Sequence, residues 1–198
     1  MKIKISKTKS YYINLDSDIK RKEETELLFK TLNISNYKRF PASYMPENRF
    51  AANAQSHYQL LSVLEPKSIV FEDDCTLLYP YDEIEIPNDA DALYLGLSRC
   101  GTHGSCMDND NINFKYEDVD GFNHLVKIDG MYTLHAILFL TQRCINAYRD
   151  GYLVAKNNGM NGDLGIINII KDFNIYALKN PMVYQEDYVD LTKITISQ

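Results

Sequence analysis

The apolar run at residues 68–71 (SIVF) passes without a spacer into Glu72, Asp73 and Asp74. No other feature constrains the fold as strongly. A continuous apolar run of this length reads as a strand covered on both faces, as in the middle of an α/β sheet. Three adjacent carboxylates cannot stay ionised in an apolar core, because burying one unpaired charge costs several kcal/mol or forces it to neutralise. They must stand at the strand's exit. In a parallel sheet that edge is where ligands bind. Continued extension would aim Glu72 and Asp74 one way and Asp73 the other. Clustered carboxylates at a strand end suit a hard divalent cation, which can in turn hold a diphosphate. The plain alternative is a solvated acidic turn.

The segments on either side alternate between strand and helix. Residues 9–15 (KSYYINL) read as a first strand, followed by Asp16 and Ser17 as capping residues with Asp18 in the first helical turn. The helix runs to about Leu32, burying Leu28, Phe29 and Leu32, with Glu26 and Lys30 in the favourable i, i+4 order. Asn33 is placed to be a left-handed cap with Ile34 folding back. Residues 37–40 form a second strand ended by Pro41. Residues 53–65 form a second amphipathic helix on Ala54, Tyr58, Leu61 and Leu64, stopped by Pro66. Further strands are expected at 91–95, within 130–140 and at 174–178, and helices at 141–151 and 163–172. Residues 98–120, rich in Gly, Asn and Asp, read as one long loop, and Pro181 starts a tail. With no internal repeat or dividing linker, the 198 residues predict a single α/β domain with a mostly parallel central sheet flanked by helices.

Charge and cysteine usage narrow the function. A net charge of -6 and a pI near 5.2 argue against tight nonspecific nucleic-acid binding, which needs a basic face. The N-terminal Lys2, Lys4, Lys7 and Lys9 form a local basic patch or, more plainly, a solvated terminus. Neither a membrane-length apolar stretch nor a secretory signal is visible, so the expected compartment is the cytoplasm. Four cysteines without a CxxC pair fit reduced thiols there. The abundance of Lys, Asn and Ile is that of an AT-rich genome, viral or bacterial. Fifteen tyrosines and no tryptophan make tyrosine the ring available for stacking on a sugar or base, although most tyrosines fill core and boundary positions.

Other motifs fail on inspection. The run Cys100 to Cys106 with His103 matches no common zinc spacing. Asp108 to Asn113 begins like a calcium loop but has Asn113 and Val119 where Gly and Glu are required. The frame Glu72-Asp73-Asp74-Cys75-Thr76 puts a glutamate where a haloacid-dehalogenase-type phosphatase needs its aspartate nucleophile. Walker, GxGxxG and GxSxG signatures are absent.

Several pieces together resemble glycosyltransferase family 25, the lipooligosaccharide and collagen galactosyltransferases. The opening YYINLDSDIKRKEETELLFKTLNI is similar to that family's start, residues 38–42 (KRFPA) to its second strand, and Ser56-His57 to its Ser-His pair. IVFEDD matches its acidic block, Asn161-Gly162-Asp163 its helix-opening aspartate, and residues 181–185 its closing Pro…Gln element. The resemblance runs from Tyr11 to Gln185. It implies a GT-A-type nucleotide-sugar-binding fold, a UDP-sugar donor and Mn2+ or Mg2+. Carried over by position, Asn14, Leu15, Asp16, Arg21 and Ala42 border the nucleotide, as does Gln185. Glu72 contacts the donor, Asp73 and Asp74 hold the metal, and Ser56 and His57 shape the donor or acceptor pocket. Asp163 becomes the general base of an inverting transfer, unless it only caps its helix; Arg21 likewise supplies a phosphate fork or a mere surface charge. The loop at 101–113, and His135 where an aromatic residue is expected, depart from the family and leave the acceptor open: a glycan, a protein side chain or a modified base. The competing readings are a metal-dependent phosphate-ester hydrolase and a non-catalytic nucleotide- or carbohydrate-binding module.

Overall fold

The computed structural model describes residues 1–97, 111–113, 116–132, 134–185 and 195–197. In chain order the strands are β1 (Lys2–Lys4), β2 (Lys9–Asn14), β3 (Tyr37–Pro41), β4 (Ser68–Glu72), β5 (Cys75–Leu77), β6 (Glu83–Glu85), β7 (Ala92–Tyr94) and β8 (Gly96–Leu97). They continue as β9 (Asn111–Asn113), β10 (Glu117–Asp118), β11 (Leu125–Lys127), β12 (Ala136–Phe139), β13 (Ile175–Leu178), β14 (Val183–Gln185) and β15 (Thr195–Ser197). The helices are α1 (Ile19–Thr31), α2 (Arg49–Leu61), α3 (Gln142–Asn157) and α4 (Gly162–Ile170).

Eight strands form the central sheet in the order β10-β11-β13-β7-β12-β4-β2-β3. Following the pairings from β4, six strands run one way, and β12 and β11 run against them. The fold is therefore α/β with a mixed, predominantly one-directional sheet. Both faces are buried, and the two-residue period shows it. Tyr11, Ile13, Val70, Tyr94, Ile137 and Phe139 face the helical layer of α2, α3 and α4. Their neighbours Tyr12, Ile69, Phe71, Leu93, Ala136 and Leu138 face α1 and the Ile3, Ile5 and Ile84 cluster around β1 and β6. None of the helices among the described residues is long and apolar enough to cross a membrane.

Local signals worked best at helix ends. Asn33 is left-handed at φ 55°, and Ile34 N donates back to Phe29 O at 2.8 Å, closing the cap. At the other end Asp18, not Asp16 or Ser17, is the cap, its carboxylate accepting from Arg21 N. The expected Glu26–Lys30 pairing gives way: Glu26 accepts from the Tyr12 hydroxyl at 2.8 Å. Helix α2 starts four residues earlier than Asn53, because the Asn48 side chain accepts from Ala51 N. Helix α3 runs past Gly151. That glycine serves a close approach, since a Cβ there would meet Gly165 O of α4 at 2.6 Å.

Two segments expected as coil are partly strand. β9 and β10 fall within 98–120, and β9 pairs with β15. The cysteine–histidine run at 100–106 and residues 108–110 of the calcium-like stretch lie outside the described residues. The tail after Pro181 enters a small sheet, β5-β14-β8, in which Gln185 is in register with Cys75.

Candidate active site

β2 and β4 run side by side with Ile13 opposite Glu72, so Asn14 and Asp73 leave the sheet together. Asn14 is buried, and its amide donates to Asp73 Oδ2 at 2.7 Å and to Asp18 O at 3.1 Å. Its own Oδ1 accepts from Arg39 Nη1 at 3.2 Å. With both donors and the acceptor engaged, Asn14 is a fixed strut for Asp73. From the first turn of α1, Arg21 Nη1 reaches Asp73 Oδ1 at 3.3 Å and Asp74 Oδ2 at 4.0 Å, while its Nε lies 3.8 Å from Asp18.

Glu72 turns the other way. Its Oε1 accepts from Asn53 Nδ2 at 3.0 Å and meets His57 Nε2 at 2.8 Å. His57 is buried and stacked on Tyr152, centroids 4.6 Å apart and rings 4° from parallel. The expected alternation thus breaks at Asp73. Hydrogen bonding of β4 ends at Glu72, and residues 73–74 form a turn into β5, which sends Asp73 and Asp74 toward the same guanidinium.

The environment separates the three acids. Burial pushes Glu72 upward, but the His57 hydrogen bond and charge, helped by His135 and Asn53, outweigh it and hold the carboxyl well below its ordinary range. Burial raises Asp73, although Asn14 and Arg21 oppose it. Asp74 is pushed up to about 7 by burial and then by the charge of Glu72, against weaker opposition from Gln185 and Arg21. Gln185 Nε2 donates to Asp74 Oδ2 at 2.8 Å. Asp74 Oδ1 is buried and has no hydrogen-bond partner among the described residues.

Asp163 sits in the first turn of α4, one residue beyond Gly162. A Cβ at Gly162 would meet Tyr152 Cε1 at 2.5 Å and Asn53 Oδ1 at 3.4 Å. The helix therefore begins against the ring that backs His57 and the amide that holds Glu72. Asp163 is not the helix cap; Asn161 occupies that position. Burial, and then the Glu72 charge, push the half-buried Asp163 carboxyl up to about 7.

A cleft of about 400 Å³ opens over this floor. Nine of the twelve sequence-derived candidates line it: Asn14, Leu15, Arg21, Ala42, Ser56, Glu72, Asp73, Asp74 and Gln185. Asp16 is instead exposed and paired with Arg39, His57 lies beneath Glu72, and Asp163 is absent from the lining. Ser56 acts through the backbone, accepting from Ser43 N at 2.8 Å and donating to Ala52 O at 2.8 Å. Sequence reasoning missed Asp18, Tyr44, Arg49 and Asn53, which also line the cleft. For Arg49 the signal was present: reading Asn48 as a cap starts α2 at the cleft's mouth.

Among the described residues no three His, Cys, Asp or Glu side chains gather at metal-ligand spacing. The unpaired Asp74 Oδ1 is nonetheless the kind of oxygen a hard cation satisfies. Asp73 and Asp74 fit such an ion as a partial set, to be completed by ligand oxygens and water. No protein-family model and no curated protein matches the chain.

Proposed function

We propose that this protein is an inverting glycosyltransferase of GT-A type, similar to family 25, that takes its sugar from a UDP-sugar bound in the cleft. The observation that carries the reading is the unpaired, buried Asp74 Oδ1 beside Asp73 and Arg21, at the exit of β4. Asp74, with Asp73, would hold Mn2+ or Mg2+, which when bound supplies positive charge to the departing diphosphate. Arg21 offers guanidinium protons on the same wall, and Asn14 and Leu15 border the nucleotide. Glu72, kept ionised by His57 and Asn53, lies between this region and α4.

Asp163 is the proposed base. In a single displacement the acceptor oxygen bonds to the anomeric carbon as the bond from that carbon to the phosphate oxygen breaks. The bonding pair leaves on UDP, and the acceptor's proton passes to Asp163. A carboxyl raised to about 7 is better matched to that proton than an ordinary aspartate, because general bases work best near the operating pH. The expectation of a GT-A fold rests on the ordered motifs, with the α/β sheet as its support.

The test is incubation with UDP-sugars and Mn2+, with and without candidate glycan acceptors. UDP release that is abolished in Asp74→Ala supports the reading. Phosphate release from simple esters, or nucleotide binding with no donor hydrolysis under any acceptor, would move the assignment to the hydrolase or to the binding module.

A further inference from the structure

The segment 42–49 is tied down at both ends and closed by a turn between them. Ala42 N donates to Asn14 O at 2.9 Å, Ser43 N to Ser56 Oγ at 2.8 Å, and Ser43 Oγ to Gln59 Oε1 at 3.1 Å. Asn48 N donates to Met45 O at 3.1 Å, and its side chain caps α2. Two side chains that this strap carries into the cleft hold no hydrogen-bond or ion-pair partner among the described residues. Tyr44 is 74% exposed although it lines the cleft. Arg21, Arg39, Arg143 and Arg149 each hold a carboxylate. Arg49 holds none among the described residues; its guanidinium lies 5.2 Å from the ring centroid of Phe50.

The charge distribution says what those two side chains are for. Asp18, Glu72, Asp73 and Asp74 make the cleft floor acidic, and Arg21 is shared among three of them. A diphosphate entering this cleft meets a floor that repels it until its charge is offset. Among the described residues, the lining cation not already spent on a carboxylate is Arg49. An open aromatic ring and a guanidinium lining the same cleft match a ligand with a flat ring at one end and phosphate oxygens at the other.

We propose that Arg49 binds the phosphate oxygens of a nucleoside diphosphate and that Tyr44 stacks on its base. This assignment rests on the reading of the cleft as a nucleotide-sugar site. It divides recognition between two side chains with separable signatures. Removing Arg49 costs only ligands that carry phosphate; removing Tyr44 costs every ligand that carries the base.

Calorimetric titration of the full chain with UDP, UMP and uridine in the presence of Mn2+ tests it. Arg49→Ala is expected to weaken UDP by about thirtyfold while leaving uridine unchanged, as loss of a charge-assisted phosphate contact requires. Arg49→Lys recovers part of that loss. Tyr44→Ala weakens UDP and uridine by the same factor, about tenfold, and Tyr44→Phe restores both. Both residues are exposed, and unchanged thermal melts without ligand exclude a folding defect. If wild type binds UDP and Arg49→Ala binds it equally well, or loses uridine in proportion, this assignment is overturned while the cleft remains a nucleotide site. If wild type binds neither UDP nor any other nucleoside diphosphate, both readings fall.

Discussion

Replacing Asp74 with Asn should stabilise the ligand-free protein at pH 8, and the effect relative to wild type should shrink toward zero or reverse as the pH falls to 5. The folded-state carboxyl is raised from the ordinary 3.8 to about 7. The fold therefore holds this proton more tightly than the unfolded chain does, and stability falls as pH climbs between those two values. Linkage gives a cost of roughly 1–2 kcal/mol at pH 5 and roughly 4 kcal/mol at pH 8. Asn carries no such cost. Its oxygen can still accept from Gln185, but its amide takes the place of the unpartnered Oδ1 and leaves a buried donor unsatisfied, at about 1–3 kcal/mol. That offset is the same at both pH values and cancels in the comparison. The stability of Asp74→Asn relative to wild type should therefore rise by roughly 2–3 kcal/mol from pH 5 to pH 8. Urea unfolding in EDTA at the two pH values reads it directly. With Mn2+ the order should reverse at pH 8, because wild type alone gains a ligand that binds only the folded state. A difference between variant and wild type that does not change with pH in EDTA would refute the reasoning, and with it the claim that Asp74 is held without adequate positive charge.

Two further expectations concern the scaffold. A Cβ at Gly165 would lie 2.2 Å from Gly151 O, a backbone atom that cannot swing aside; Gly165→Ala should force α3 and α4 apart and cost about 1–3 kcal/mol, seen as a lowered thermal midpoint. Asp91, buried at the start of β7, accepts from Thr141 Oγ1 at 2.6 Å, Arg143 Nε at 2.9 Å and Asn174 N at 3.1 Å. Burial raises its carboxyl, but Arg143, Thr141 and Asn174 together hold it below 3.8. Its stabilisation is then present above pH 4 and lost as pH falls through the folded value. Asp91→Asn should cost about 2 kcal/mol at pH 7, with the gap closing in acid denaturation curves below pH 4.

Much of this architecture was legible in the residues alone. The alternation of Tyr11, Tyr12 and Ile13, and the unbroken apolar run before Glu72, require a sheet buried on both faces, because only that arrangement removes consecutive side chains from water. The same run forces three carboxylates to the sheet's edge. Asn33 could be read as a left-handed cap from its place after Leu32. These are local properties, set by side-chain period and by hydrogen bonds that span a few residues. Other features depend on partners far away in sequence. β12 lies between β4 and β7 and runs against both, and no residue within it encodes that direction. Glu72, Asp73 and Asp74 read as one acidic cluster, yet α2 claims the first through His57 and Asn53, and α1 claims the others through Arg21. Gln185 reaches Asp74 across 111 positions of sequence. Sequence could place the charges at one edge; only the packing of helices around that edge decided which helix holds each carboxylate and which keeps a buried oxygen without a partner among the described residues.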